Sequence, residues 1–222
     1  MTSTFSLAVV ATCCSINMLQ TACPLLMPRL SQSEIAAVGT TIPLSDLSRP
    51  DLVRLWHSLP PPKLNSVGGF HRGSILPAGP LHPISRIITH RLFGPGEWQG
   101  KELSPRRRQG ENIFLGRQRD SWNGIYGEFV NPAENYRRGP RGKSKPFRIS
   151  IGKSCLDKRP CLVLDYSARD LHGPRASNYF PWSTMRDELR ELRPGVLIGL
   201  GGMGATLGNL NSAIFTLEKG KK

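Results

Sequence analysis

The chain has 222 residues, enough for one domain of ordinary size, and its 30 Lys and Arg against 16 Asp and Glu give a net charge of +14. Its 23 Gly and 19 Pro exceed average usage but follow no fixed repeat. Because the sequence lacks both a strict repeat and a long apolar run, its composition excludes a collagen, a coiled coil and a polytopic membrane protein. We therefore expect a basic, loop-rich domain built mainly of strands, with no membrane span.

Residues 1–44 are predicted to be an N-terminal leader or a disordered extension. Up to Ser33 the only charged side chain is Arg29, and Ser, Thr, Ala and Cys are frequent. No basic residue precedes the apolar segment that begins at Phe5, which disfavours a secretory signal. An acid-free, hydroxyl-rich stretch is typical of an organellar transit segment, although such segments also contain arginines. We expect a cytoplasmic location by default, with organellar import as an alternative.

Residues 45–62 predict one short helix. Ser48 is a typical N-cap, and Pro50 and Asp51 suit the first helical turn. An apolar stripe at helical spacing follows, and three prolines end it: the stripe is Leu52, Leu55, Trp56 and Leu59, and the prolines are residues 60–62.

Residues 63–222 form the predicted main domain, in which short apolar segments alternate with turns. Phe147–Ile151 shows the clearest alternation of apolar and polar residues, as a half-buried strand requires. The capping-box pattern that begins at Thr184 predicts two helical turns, and residues 131–146 predict an exposed loop. The predicted strands are 67–76, 84–93, 97–103, 113–117, 124–130, 147–151, 161–166, 196–200 and 213–218, a number that favours a sandwich or barrel.

Cysteine and histidine spacing gives no sign of a metal site. Only Cys155 and Cys161 lie outside the first thirty residues, too few for a disulfide framework, and we expect both to be reduced. The five histidines are dispersed, without HxH or HExxH spacing. We expect neither a metal nor a cofactor.

Two features raise hypotheses of nucleic-acid or nucleotide binding. Basic clusters at Arg106–Arg108 and at residues 137–145 suit phosphate contacts, but no known nucleic-acid-binding motif accompanies them, and we favour a solvated basic surface. Gly199–Gly204 matches G-x-G-x-x-G, but the remaining chain is too short for the helix and the sheet that a dinucleotide site needs. We expect a glycine-rich loop that joins two antiparallel strands.

Gly96–Lys101 is a G-x-W-x-G-K hexapeptide, and it follows Thr89–Pro95. Together with later segments it resembles a calycin-like (lipocalin-like) family named for that hexapeptide. The resemblance covers about residues 67–219 and implies an antiparallel β-barrel, without specifying an activity. The later matching segments are Leu162–Tyr166, Asp187–Arg190, Leu197–Leu200 and Phe215–Glu218.

The residues of the hexapeptide also have a direct physical interpretation. Gly96 and Gly100 permit tight bends or a close approach of two backbones. Trp98 is expected to plug one end of a small barrel, with its indole N–H donated to an acceptor. In a regular pleat Lys101 lies on the face opposite Trp98. These roles are structural; in the functional alternative, Lys101 marks the mouth of the pocket and binds a ligand carboxylate or other acid.

We therefore expect a mainly β protein, an antiparallel calycin-like β-barrel with short flanking helices, that binds a small lipophilic molecule in a dry cavity. An alternative is an isomerase or cyclase of small-molecule biosynthesis, and a further one is a basic nucleic-acid-binding adaptor. Asp165 and Asp187 have a competing interpretation as cap or turn residues, which we favour for both. The candidate ligand-binding residues are Trp98, Lys101, Asn112, Asp165 and Tyr166, and the candidate catalytic residues are Asp165, Asp187 and His90.

Overall fold

The structure is a computed structural model that describes residues 2–92, 97–115, 129–130, 141–167 and 180–220. At residues 2–10, 91–92, 129–130 and 141–144 it describes the backbone alone. Gly96 of the hexapeptide lies outside the described residues, as do residues 131–140 of the predicted basic loop.

The described chain contains nine strands and four α-helices. The strands are β1 (Gly69–Ile75), β2 (Glu97–Ser104), β3 (Gln109–Leu115), β4 (Phe129–Val130), β5 (Arg141–Lys153), β6 (Pro160–Asp165), β7 (Met185–Arg193), β8 (Val196–Met203) and β9 (Gly208–Lys219). The helices are α1 (Thr2–Leu25), α2 (Gln32–Ala37), α3 (Arg49–Ser58) and α4 (His82–Ile87), and a π turn (Ile88–Leu92) continues α4.

Eight of these strands close into a barrel. The pairing runs β3-β2-β1-β9-β8-β7-β6-β5, and β5 then pairs with β3, where Gly110 faces Phe147. The two-residue β4 pairs with the start of β5. All of these strand pairs are antiparallel. The expectation of a mainly β, antiparallel barrel is therefore confirmed.

The antiparallel pairing also decides how the glycine-rich segment is built. Gly199, Gly201 and Gly202 lie within β8, which pairs antiparallel with β9, and only a single 3₁₀ turn at Gly204–Thr206 separates the two strands. A dinucleotide site needs a helix at this point and a parallel strand after it, so the segment does not form one. The predicted loop is shorter than expected because most of the glycines belong to the strand.

The barrel has a core on each side of its wall. Inside, aromatic and aliphatic side chains of most strands meet, among them Phe114, Phe147, Leu164 and Phe215. Outside, a second cluster joins α3 to the outer face of β8 and β9: Leu52, Leu55, Trp56, Ile198, Leu200 and Ile214. Since neighbouring residues of a strand point to opposite faces, β8 is buried on both.

The predicted short helix is present as α3. The Ser48 side chain accepts a hydrogen bond from the backbone N–H of Asp51, as expected of the N-cap. The helix is anchored to the barrel by Trp56, whose indole Nε1 donates to the carbonyl of Glu188 on β7 at 3.1 Å.

A buried ion pair strengthens this anchor. Both terminal nitrogens of Arg190 donate to the Asp157 carboxylate at 2.7 Å, and the guanidinium carbon lies 4.0 Å from the centre of the Trp56 ring. His57 Nδ1 lies 2.7 Å from the same carboxylate. Burial alone would raise the pKa of Asp157, but the hydrogen bonds from Arg190 and His57 outweigh it and hold that pKa well below its usual range.

The strand predicted at residues 84–93 is wrong: the described part of this segment is α4 and its π turn. Pro83 occupies the first turn of the helix, where its missing N–H costs nothing. Ile84 and Ile88 then lie one helical turn apart on the side that faces the barrel. Short apolar runs rich in isoleucine suit a strand or a helix equally, so packing decides between them.

The helix predicted from Thr184 is also wrong, because Met185–Arg193 forms β7. Asp187 and Leu189 point into the barrel. On the outside, Arg190 is buried beneath α3, and the buried Glu188 carboxylate accepts a hydrogen bond from the backbone N–H of Cys155. A strand with charged residues buried on both faces lacks the apolar–polar alternation by which strands are recognised.

Residues 1–44 contain α1 and α2 where the sequence predicted a leader or an extension without structure. The α1 helix packs against α3, where Thr21 accepts a hydrogen bond from Arg49 Nη2 at 2.8 Å, and against β9, where Asn17 Nδ2 donates to Asn211 Oδ1 at 3.3 Å. A leader function for this segment stays a prediction. Among the described helices, none combines the length and the hydrophobicity that crossing a membrane requires.

Candidate functional site

A lysine lies inside the barrel and is almost completely buried. Lys101 is 2% exposed, and its Nζ contacts three acceptors of different chemical kinds. It donates to Asn112 Oδ1 at 2.7 Å and to Tyr166 Oη at 2.6 Å, and it forms an ion pair with Asp187 Oδ2 at 2.9 Å. An ammonium group has three protons to donate, and this arrangement provides an acceptor for each of them.

The three acceptors are themselves connected. Trp98 Nε1 donates to Asn112 Oδ1 at 3.0 Å, and Asn112 Nδ2 donates to Tyr166 Oη and to the Lys145 carbonyl, both at 3.1 Å. The Tyr166 hydroxyl donates to Asp187 Oδ2 at 3.0 Å. Asn112, Tyr166 and Asp187 are each 2% exposed or less, so this polar network is shielded from bulk solvent. Polar groups buried in this way must be hydrogen-bonded to be tolerated.

Four aromatic rings surround the same ammonium group. Nζ lies 5.4 Å from the centre of the Trp98 ring, 5.2 Å from that of Phe147, 5.4 Å from that of Tyr166 and 5.5 Å from that of Phe215. A ring face attracts a cation within about 6 Å, and the attraction is stronger where water is excluded. The interior is therefore built to hold one positive charge beside one carboxylate.

A bulge in β2 explains how Trp98 and Lys101 come to point the same way. The register with β3 shifts between Trp98 and Gly100, which leaves Gln99 as an extra residue on β2. Gly100 has a φ of +140°, and a Cβ at that position would lie 2.0 Å from the carbonyl oxygen of His71. The expectation that Lys101 lies opposite Trp98 is therefore wrong, because the pleat of this strand is not regular.

Burial shifts the proton affinities of the network. It lowers the pKa of Lys101, while the charge of Asp187 and its hydrogen bond act in the opposite direction. Burial and the neighbouring Asp187 charge raise the pKa of Tyr166 well above its usual value. Tyr166 is therefore a neutral proton donor to Asp187 over the whole physiological range.

A cavity of about 200 Å³ adjoins this network. Lys101 and Asp187 supply charged groups to its wall, and Trp98, Trp182 and Phe215 supply aromatic surface. Its remaining lining is mostly apolar, which matches the usual composition of small-molecule pockets.

Helical segments close one side of the cavity. Leu81, Ile84 and Ile88, from α4 and the residues beside it, line this side, and Cys14 of α1 reaches it as well. The cavity therefore lies between the strands of the barrel and the helices that were not expected from the sequence.

A second buried amine lies near the cavity wall. Lys145 of β5 is 4% exposed, and its Nζ is 5.7 Å from the centre of the Trp182 ring. Burial lowers the pKa of Lys145 to about 8. Its proximity to Trp182, which lines the cavity, adds positive charge to this end of the barrel.

The structure brings four of the five candidate ligand-binding residues into one network: Trp98, Lys101, Asn112 and Tyr166. Asp165 does not belong to it, because its Oδ1 accepts a hydrogen bond from the backbone N–H of Ser167 at 2.9 Å, as a turn residue does. These placements leave the binding role of each residue as a prediction.

Of the candidate catalytic residues, Asp187 belongs to the network, and the interpretation of it as a cap residue is wrong. His90 lies in the π turn and does not line the cavity. Burial lowers the pKa of His90, against the opposing charge of Glu97. Among the described residues, no group of three or more His, Cys, Asp or Glu side chains is arranged to hold a metal ion.

Sequence reasoning missed Phe147, Phe215, Trp182 and Lys145 as parts of this region. The alternation around Phe147 was visible in the sequence, but it gave no indication that this face points at Lys101. Lys145 was interpreted as part of an exposed loop, whereas β5 begins at Arg141 and takes Lys145 into the barrel wall.

Only part of the two basic clusters lies among the described residues. Arg106 and Arg107 form an exposed 3₁₀ turn between β2 and β3, and Arg108 ends it in the left-handed conformation with a φ of +52°. Residues 137–140 of the second cluster lie outside the described residues.

The chain matches no family model and no curated protein. A solved structure titled "Crystal structure of protein from Thermomonospora curvata" is similar to it, with a TM-score of 0.42 and 15% sequence identity. The similarity covers 77% of this chain and 87% of that one. The fold and the site described above therefore rest on the strand pairing and on the side-chain contacts. They define a closed antiparallel β-barrel with a charged polar network beside an apolar cavity.

Proposed function

We propose that this protein binds a small lipophilic molecule in its barrel, as a member of the calycin-like family that its hexapeptide resembles. The observation that carries the proposal is the cavity of about 200 Å³, which combines aromatic and aliphatic walls with the Lys101–Asp187 pair. An apolar enclosure favours the hydrophobic part of a ligand, and a few polar groups fix its orientation.

The dimensions and charges of the cavity limit the ligand. Its volume is below the range of roughly 300–1,000 Å³ common for drug-sized ligands, so a molecule with one ring or a short chain fits best. The polar head of such a ligand would lie near Lys101 and Asp187, where both a donor and an acceptor are present. Lys145 favours a head group that is neutral or negatively charged over a cationic one.

The test uses isothermal titration calorimetry with 1-octanol, a neutral short-chain probe, and a variant that fills the cavity. Ala213 lines the cavity, so Ala213→Phe is expected to reduce probe binding at least roughly tenfold by occupying that space. The matched control is Ala36→Phe, a change of the same size at an exposed position of α2, away from the cavity.

Two results decide the matter. Octanol binding that titrates to one site in the wild type and in Ala36→Phe, but not in Ala213→Phe, supports the proposal. Equal binding to all three proteins, or no binding to any, contradicts it. Native mass spectrometry of the purified protein adds an independent check for a co-purifying lipophile.

A second candidate function is the isomerase or cyclase. The observation that favours it is Asp187, a carboxylate that lines the cavity and accepts a hydrogen bond from Tyr166. A positioned carboxyl group can transfer a proton to a bound substrate. If the protein is this enzyme, the wild type will convert components of a cellular lipid extract catalytically, and Asp187→Asn will not. If both proteins instead bind the same components in stoichiometric amounts and convert none of them, catalysis is rejected and the binding function is retained.

A further inference from the structure

The chemistry of Lys101 goes beyond that of a hydrogen-bonding anchor. It is a primary amine that lines an apolar cavity and is removed from bulk water. Its neighbours are a carboxylate and a phenol, both within hydrogen-bond distance of Nζ. These are the groups that an amine needs in order to react reversibly with a carbonyl compound: a nucleophile, a proton acceptor and a proton relay.

We propose that Lys101 is the covalent attachment site for a lipophilic aldehyde, which enters the cavity and forms a Schiff base with Nζ. The inference depends on the proposed binding function and names the class of ligand. The cavity then holds the apolar chain of the aldehyde, and the polar network carries out the condensation.

The condensation balances without any oxidant or reductant. Lys101 first passes a proton to the Asp187 carboxylate, and the freed lone pair of Nζ forms a C–N bond with the aldehyde carbon. The electrons of the C=O π bond move to the oxygen, which receives a proton from nitrogen through the Tyr166 hydroxyl to give the carbinolamine. Asp187 then protonates that hydroxyl group, water leaves, and the nitrogen lone pair completes the C=N bond. The product is a protonated iminium beside the Asp187 carboxylate.

The described geometry also stabilises the charge of this product. The iminium carries the same single positive charge near the same place, between four aromatic rings and beside Asp187. It keeps only one N–H to donate, but Asn112 Oδ1 retains the hydrogen bond from Trp98 Nε1. The amide oxygen of Asn112 therefore still has a hydrogen-bond partner after the lysine has lost two of its protons.

Burial assists the first step. It lowers the pKa of Lys101, which reduces the free energy needed to reach the neutral amine that attacks the aldehyde. Exposed lysines such as Lys153 gain no such advantage and also lack an apolar cavity that concentrates the aldehyde.

The experiment traps the Schiff base in the full-length protein. Wild-type protein is incubated with octanal and cyanoborohydride at pH 7, and the modified lysines are located by peptide mass spectrometry. We expect one octyl group per chain, with labelling of Lys101 exceeding that of Lys153 by roughly tenfold or more. In Lys101→Arg, which keeps the charge but cannot form this imine, the adduct should disappear. In the matched surface variant Lys153→Arg, it should persist.

A reversible ligand separates the failure of this inference from the failure of the binding function. In the wild type, 1-octanol should bind to one site without forming any adduct. If octanol binds but octanal labels Lys145, or labels exposed lysines as readily as Lys101, the Schiff base is rejected and lipophile binding stands. If octanol does not bind at all, both proposals fall. Peptide mass spectrometry of the labelled wild-type protein tests the Schiff base at Lys101 even if Lys101→Arg does not fold.

Discussion

Removal of the Asp187 carboxylate should leave Lys101 as a buried amine without its counterion. Asp187→Asn keeps the shape of the side chain and an oxygen that can accept from Tyr166, so the change is mainly electrostatic. In the wild type, Asp187 is the group that opposes the effect of burial on the pKa of Lys101. The variant is therefore expected to lower the pKa of Lys101 further and to bind one proton fewer at neutral pH when folded.

The magnitude follows from the cost of deprotonating a lysine. Each unit of pKa shift is worth about 1.4 kcal/mol, so a lysine with an ordinary pKa of about 10.4 that must fold neutral at pH 7 loses at most about 4.6 kcal/mol. This ceiling agrees with the roughly 3–5 kcal/mol that breaking a buried ion pair costs. Below the pKa that Lys101 has in the unfolded chain, the folded variant binds fewer protons than the unfolded variant. The free energy of unfolding of the variant therefore rises with pH. At pH 9 the same ceiling is about 1.9 kcal/mol.

The assay is urea unfolding of the wild type and Asp187→Asn at pH 7 and pH 9. The difference in unfolding free energy should be at most about 4.6 kcal/mol at pH 7 and should shrink by up to about 2.7 kcal/mol at pH 9. The double variant Lys101→Met/Asp187→Asn lacks the amine. The difference between its unfolding free energy and that of the wild type should therefore not shrink in this way between pH 7 and pH 9. A single variant as stable as the wild type at pH 7, or less stable at pH 9 than at pH 7, would refute the buried-pair reasoning.

Two further predictions concern packing and the α3 anchor. Gly73→Ala would place a Cβ 2.3 Å from the Trp98 ring, so it should cost about 1–3 kcal/mol in chemical unfolding, whereas Gly68→Ala, whose Cβ meets nothing closer than 3.4 Å, should cost clearly less. An equal cost for both would contradict the close contact of this glycine with the indole. Asp157→Asn should cost about 3–5 kcal/mol near pH 7, because Arg190 loses its buried counterion. Since the pKa of Asp157 is held low, the wild type loses this stability as pH falls below the unfolded value of about 3.9, and the gap should narrow in acid. A gap that widens on acidification would be incompatible with the pairing.

Much of the barrel could be predicted from local patterns because its strands carry local signals. Phe147–Ile151 alternates, and the strands that end the chain are apolar and bounded by glycine, so both were recognised as strands. Strand β7 was not, since its Arg190 is buried under α3 and pairs with Asp157, which lies far away in the sequence. A charged residue gives no local sign that a distant partner will neutralise it.

The candidate site likewise combines residues that the sequence indicates with contacts that only the folded chain creates. Trp98, Lys101, Asn112 and Tyr166 could be selected as chemically notable residues, but nothing local indicated that they touch one another. The separation of Lys101 and Tyr166 along the chain is bridged only when β2 and β6 become walls of one closed barrel.

The amino-acid sequence by itself determined the class of the protein: a basic, mainly β chain whose short apolar segments have to pair in order to bury their side chains. Tertiary structure alone decided that Lys101 faces inward with Trp98, since the bulge at Gln99 depends on how β2 pairs with β3. It also decided that Asp187, on a segment with a helical signature, supplies the counterion. Local propensity acts over a few residues, whereas the placement of a buried charge depends on every group that surrounds it after folding.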